Sequence, residues 1–230
     1  MNMAFAGLFE KYDRLFLFDT ETTGLKFATD QIIEFAAVVV EQVHGQAVVT
    51  REYDQLITLN PGTTVPDFIA DLTGITNEEI AQKGISKAQV CADIAGMIAG
   101  NTLLLAYNAH FDLSFLFYLL HHHGDPCILQ GKDKLDLLTV YRDRYAYPHK
   151  LCSAIETYGL SGKVVNSHRA VDDVIATVEV MKCMEQEKSD LEKYINLFGY
   201  LAKYGMDTKP IRSVTYKPQN LEPGTPVYEK

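Results

Sequence analysis

Apolar positions along the chain fall into two rhythms, and each predicts a different kind of element. Arg14 to Thr20 (RLFLFDT) and Gln31 to Gln42 (QIIEFAAVVVEQ) are continuous apolar runs rich in Leu, Phe, Ile and Val, as expected of buried strands. His44 to Gln46 supplies a turn. Ala47 to Leu59 then mixes β-branched residues with charges, which predicts a third, partly exposed strand paired as a hairpin and ended by Asn60-Pro61-Gly62. Two capping boxes follow, Thr76 with Glu79 and Ser86 with Gln89, the second opening a helix that runs to about Gly100. Thr102 to Asn108 is another apolar run, and it feeds a helix stopped at Gly124. Helical spacing recurs at 137–145 and 150–158, a loop spans 162–167, and a long helix runs from about Arg169 to Glu187. Strands that precede and alternate with helices predict an α/β fold.

The rhythm breaks near the end, where prolines at 210, 218, 223 and 226 predict extended, loosely packed chain. The division expected is one domain over residues 1–190, with a C-terminal helix and extended tail over 191–230. Charge follows the same division. The chain carries 21 basic and 30 acidic residues, a net −9, with 15 and 26 of them in residues 1–190 and 6 and 4 in the remainder. An acidic body repels a polyanion unless something reverses its sign locally. Cys91, Cys127, Cys152 and Cys183 stand far apart without a C-x-x-C pair, which argues against a zinc knuckle or a secreted disulfide framework. No run approaches the roughly 18 apolar residues of a membrane span, and the first residues lack the pattern of a secretory signal. The reading is a cytoplasmic protein with no membrane partner.

The candidate chemistry lies at strand ends. Asp19 and Glu21 close an apolar strand at alternate positions, so both carboxylates share one face near a core, a costly arrangement that a bound cation relieves. Gly24 after Thr22 and Thr23 allows a tight turn whose N–H groups and hydroxyls suit a nucleotide, although turn chemistry alone explains it equally well. Asp112 opens the helix after the Thr102–Asn108 strand, and residues at the carboxyl ends of strands in an α/β sheet converge on one crevice. At about 100° per residue, Ala170, Val171, Val174, Val178 and Met181 form the buried stripe of the last helix. Asp173 borders that stripe, while Asp172 points away. His168 then belongs to the preceding loop, arching over the site, where an imidazole suits proton transfer. Four acids and one histidine at such positions form the constellation that two-metal phosphoryl transfer requires. His121-His122-His123 reads as a helix end, Asp136 as a structural residue orienting a loop, and Glu34 either as a buried hydrogen-bond partner or as an edge charge, outside the site.

At this point the residues resemble the DEDDh 3′→5′ exonucleases, the group containing the epsilon-type proofreading subunit or domain of bacterial DNA polymerase III. Phe18 to Leu25 (FDTETTGL), Tyr107 to Leu116 (YNAHFDLSFL) and His168 to Thr177 (HRAVDDVIAT) look like its three motifs, in order. Leu72 to Thr76 and Lys134 to Asp143 resemble further family segments. The resemblance implies a ribonuclease H-like mixed sheet with its second strand antiparallel and helices flanking it. It also implies two divalent ions, Mg²⁺ or Mn²⁺, on Asp19, Glu21, Asp112 and Asp173, with His168 as general base. Thr20, Thr22, Thr23, Gly24, Leu25, Asn108 and Phe111 would bind the terminal nucleotide. The implied activity is release of nucleoside 5′-monophosphates from single-stranded or frayed 3′ ends of DNA, for proofreading or repair, with a DNA polymerase subunit as a possible partner. Related families trim RNA with the same acids and histidine, which keeps a 3′→5′ exoribonuclease as the alternative. An inactive nucleic-acid or polymerase-binding module is the alternative of another class. Lys193, Lys203, Lys209, Arg212 and Lys217 read either as a solvated tail or as contacts to the strand upstream of the cleft.

Overall fold

The computed structural model describes residues 5–206 and 211–230, so Lys209 and Pro210 lie outside the described residues. A single turn, α1 (Ala6–Phe9), leads into β1 (Arg14–Thr22), β2 (Ile32–Val43) and β3 (Gln46–Leu56). Helices α2 (Asp67–Thr73), α3 (Asn77–Lys83) and α4 (Lys87–Met97) come next, followed by β4 (Thr102–Ala106) and α5 (Ala109–His123). Then come β5 (Lys134–Asp136), α6 (Leu137–Arg144), α7 (Leu151–Thr157) and α8 (Ala170–Glu187). The sheet order is β3-β2-β1-β4-β5, with β2 antiparallel to both neighbours and β4 and β5 parallel to β1. This is the mixed sheet with an antiparallel second strand that the sequence led us to expect.

Strand alternation sorts the core into two layers. Leu15 and Leu17 of β1, with Ala36, Val38 and Val40 of β2, pack under Ala170, Val174, Val178 and Met181 of α8. Phe16, Phe18 and Phe35 face the other way, towards Val90 and Ile94 of α4 and Leu113, Leu116 and Leu120 of α5. Their rings stack at 5.5 to 6.4 Å. Burying each such side chain contributes about 1.5–3 kcal/mol. The helix starts obey local chemistry: Thr76 accepts from the Glu79 N–H at 3.1 Å and Ser86 from the Gln89 N–H at 3.2 Å.

The chain after α8 differs from the expected helix and loose tail. Leu191–Tyr194 is a 3₁₀ turn, and β6 (Leu197–Leu201) pairs in parallel with β7 (Thr215–Gln219) as a separate two-stranded sheet. The sequence hid this because Pro218 interrupts the strand pattern. β7 has a partner on one side only, where a missing N–H is tolerated. The segment is well packed: Tyr194, Phe198 and Val227 are buried, and Asp143 of α6 accepts from Gln219 Nε2 and the Val227 N–H, each at 2.7 Å. Tyr216 reaches α5, its hydroxyl lying 2.6 Å from Nδ1 of His110. All four cysteines are free, and no helix among the described residues is long and apolar enough to cross a membrane.

Candidate active site

The two layers continue beyond the apolar core as two rows of polar residues. Asp19 and Glu21 extend the Leu15–Leu17 row onto the start of α8, where Asp173 lies buried. Thr20 extends the Phe16–Phe18 row onto α5, and its hydroxyl donates to Asp112 Oδ1 at 2.7 Å. The site is therefore assembled around the end of one strand from both faces of the sheet. Ligand-capable atoms of Glu21, His168 and Asp173 lie within 4.8 Å of one another. Asp19 and Asp112 fall outside that tight group, but Asp112, Asp173 and Glu21 all raise the Asp19 pKa by repulsion.

Every one of the four acids is pushed towards its protonated form. Burial first, then repulsion from Asp112, Asp173, Glu21 and Glu34, lifts Asp19 well above the usual carboxylate range. Glu21 is pushed up to about 8 by burial and by Asp173 and Glu34, with Arg169 opposing. Asp112 rises to about 7 through burial, although the Thr20 hydroxyl and N–H stabilise its charged form. Burial raises Asp173 as well, against the Asn166 hydrogen bond and the His168 charge. Four carboxylates held this close without a compensating cation make a hard, oxygen-rich donor set, which fits a divalent ion.

His168 itself is in the left-handed region, φ 57°, uncommon for residues other than glycine. Flanking bonds impose it. Asn166 Nδ2 donates to Asp173 Oδ1 at 2.6 Å, and Ser167 Oγ donates to Asp172 at 2.5 Å. The fully buried Glu34 accepts from Arg169 Nε at 2.8 Å, from its terminal nitrogen at 2.5 Å and from the Ala170 N–H at 2.6 Å. Glu34 thus satisfies the first N–H of α8 from a neighbouring strand. It sits directly opposite Glu21 in the β1–β2 register. Sequence reasoning left Glu34 outside the site, because the long loop between β1 and β2 and the register shift at Glu21/Thr22 leave no local signal of which residue faces Glu21. Asn166 carried no signal. Asp136 accepts the N–H groups of Asn108 and Ala109, each at 3.0 Å, while capping α6, so it fixes the start of the helix that bears Asp112.

The residues expected to bind a nucleotide flank these acids along the chain, Thr20 to Leu25 beside Asp19 and Glu21, and Asn108 and Phe111 beside Asp112. Leu25 is 82% exposed, Asn108 is exposed with φ 71°, and Phe111 is half-buried. The threonine hydroxyls are engaged within the protein: Thr22 donates to the Gly24 carbonyl at 2.6 Å, and Thr23 accepts from the Gln31 N–H at 3.0 Å.

This chain belongs to the Exonuclease family of RNase T type, whose profile matches residues 16–181. It is 33% identical over 182 residues to the 3′-5′ exonuclease DinG of Bacillus subtilis (strain 168), a match covering 75% of this chain and 18% of that protein. It is 34% identical over 176 residues to the PolC-type DNA polymerase III of Clostridium perfringens (strain 13 / Type A), covering 74% and 11%. The matches thus cover less than a fifth of either curated relative's length. Among solved structures, E. coli Exonuclease I in complex with a dA16 oligonucleotide superposes with a TM-score of 0.69 at 23% identity. That match covers 79% of this chain and 42% of the other, and at this identity it speaks for the fold alone.

Proposed function

We propose that the chain hydrolyses the terminal phosphodiester at the 3′ end of single-stranded or frayed DNA, releasing nucleoside 5′-monophosphates. The observation that carries this reading is the gathering of Asp19, Glu21, Asp112 and Asp173, all with raised pKa values, beside His168 at the end of β1. Asp19, Glu21 and Asp173 would hold one divalent ion, and Asp19 and Asp112 a second, Mg²⁺ or Mn²⁺. Such ions supply Lewis acidity and the positive charge that the scissile phosphate needs. His168, exposed on its braced loop, takes the proton of the attacking water at a ring nitrogen. Leu25, Asn108 and Phe111 line the cleft for the last nucleotide, and the turn Thr20, Thr22, Thr23 and Gly24 backs it. The name of the DinG relative supports the 3′→5′ direction, and that of the PolC-type DNA polymerase III supports DNA as substrate and a proofreading or repair role with a polymerase as partner.

The test is a time course on 5′-labelled single-stranded DNA and RNA of one sequence, in Mn²⁺, Mg²⁺ or EDTA, with Asp173→Ala as control. The expected result is a metal-dependent ladder that shortens DNA faster than RNA and disappears in the variant. Absence of shortening on both polymers would overturn the reading. His168→Ala should slow the reaction by about 10²-fold with metal affinity nearly kept. An unchanged pH profile in that variant would remove the base assignment.

A further inference from the structure

Lys87 opens α4 and is only 8% exposed. Its ammonium donates to the side-chain oxygens of Gln31 and Asn60, both neutral, and among the described residues no carboxylate pairs with it. An ammonium has three N–H donors, so one remains after these two bonds. Lys87 lines a cavity of about 380 Å³ walled also by Phe27, Asp30, Tyr118, His122 and His123. The Phe27 and Tyr118 rings lie 5.4 Å apart, and the Asp30 carboxylate accepts the Lys26 N–H at 2.8 Å. His123 is pushed down by burial, then by the Lys87 and His122 charges. A buried ammonium held by amide oxygens alone lacks the anion that would best compensate it.

The cavity adjoins the cleft at two points. Gln31, which holds Lys87, donates its N–H to Thr23 Oγ1 at 3.0 Å, and its carbonyl accepts the Thr23 N–H at 2.9 Å. Phe115 also lines the cavity, and its ring lies 4.9 Å from that of Phe111.

We propose that this cavity is a nucleotide subsite in which Lys87 takes a phosphate group and Phe27 and Tyr118 pack against the nucleoside. The nucleotide belongs to the strand held in the cleft, upstream of its 3′ terminus. The shared Gln31–Thr23 wall and the Phe111–Phe115 contact favour the strand over a free nucleotide as the source of that phosphate. The assignment rests on the exonuclease reading above.

The experiment is fluorescence anisotropy in EDTA with 5′-fluorescein oligothymidylates of two, four and eight nucleotides. It compares the unaltered chain, Lys87→Gln and Lys87→Arg, with thymidine 5′-monophosphate as competitor. Lys87→Gln should bind the eight-mer about five- to tenfold more weakly and lower the salt slope by about 0.7, the loss of one single-strand phosphate contact. Lys87→Arg should restore most of that affinity, and the dinucleotide, too short to reach, should show no difference. If Lys87→Gln changes only the competition by the free monophosphate, the strand assignment is overturned in favour of a free nucleotide. Equal affinities throughout would remove the subsite. Should Lys87→Gln fail to give a cooperative thermal transition, Tyr118→Leu should weaken eight-mer binding by a similar factor with the salt slope unchanged, since it removes packing and no phosphate contact. Hydrolysis with no Lys87 effect on binding sinks the subsite alone, whereas Lys87-dependent binding without hydrolysis by the unaltered chain in Mn²⁺ or Mg²⁺ sinks the nuclease reading alone.

Discussion

The two ends of α8 bury carboxylates in opposite ways. At the start of the helix, Asp173 meets Asp19 and Glu21, and the nearby cation, Arg169, is spent on Glu34. At the far end, Asp190 is 2% exposed, yet it accepts from Arg144 at 2.6 Å, the Tyr228 hydroxyl at 2.7 Å and Lys188 at 2.9 Å. Glu187 there accepts from Arg144 and from the hydroxyls of Tyr145 and Tyr158. Arg144 also donates to the Met184 and Lys188 carbonyls, closing the helix where its dipole favours a cation. The acids at the start are held above their ordinary pKa values, whereas Asp190 and Glu187 are held below theirs. Burial alone therefore does not mark a functional carboxylate. Asp143 and Glu185 are also buried, raised and without an ion pair, but each stands alone on hydrogen-bond donors. The mark at the start of α8 is several carboxylates buried together without a counter-charge, an arrangement that a bound cation would compensate.

Substitutions at the two ends should separate stability from activity. The largest effect expected is on turnover: Asp19→Asn should cost about 10³-fold or more in rate, since on the proposed reading Asp19 would hold both ions and so act in the transition state. Its metal-free unfolding midpoint should stay unchanged or rise, because one repulsive charge is gone. Parallel loss of stability and activity in urea titrations and nuclease assays would show that Asp19 is a structural acid after all. Next in size, Arg144→Met should lose about 3–5 kcal/mol, since it strands buried Asp190 and two helix carbonyls. Turnover of the protein that remains folded should be near normal. A loss below about 1 kcal/mol would mean that Lys188 and the tyrosines suffice.

Local signals explain how much of this was legible in the sequence. β1, β2, β4, α5 and α8 announce themselves because apolar runs, glycine stops and capping residues act within a few neighbours. The same holds for the strand-end acids, whose place in an apolar run is itself the anomaly. What stayed hidden depends on pairing at a distance. Glu34 becomes part of the site only through the register that sets it against Glu21, and no local pattern reports Asn166 reaching Asp173. That Asp112 approaches from the opposite face of the sheet to Asp173 is likewise invisible along the chain. Three-residue β5 runs straight into α6, too short to show a period, and α2 has only seven residues. The β6–β7 sheet is masked by Pro218, and its packing against α6 depends on contacts from Gln219 and Val227.

The smallest effect, and the one that sharpens the contrast most, is the dependence of stability on pH. Raised carboxyls hold more protons in the folded than in the unfolded chain. They favour folding below their unfolded values near 4, and that contribution is lost as pH rises through the folded values, about 7 for Asp112 and about 8 for Glu21. Depressed carboxyls do the reverse: Asp190 and Glu187 contribute above that range, and their contribution is lost as pH falls through their lowered values. Urea titrations in EDTA should therefore show stability falling by at least about 1–2 kcal/mol between about pH 5 and 8. Glu21→Gln should flatten this alkaline limb and leave the acid limb alone, whereas Asp190→Asn should flatten the acid limb only. Saturating Mn²⁺ should act like Glu21→Gln, because an ion that binds the charged acids in the folded chain alone offsets their repulsion as pH rises. If Mn²⁺ left the alkaline limb as steep as EDTA does, the acids at the start of α8 would not be its ligands, and the contrast between the two ends would be one of burial only.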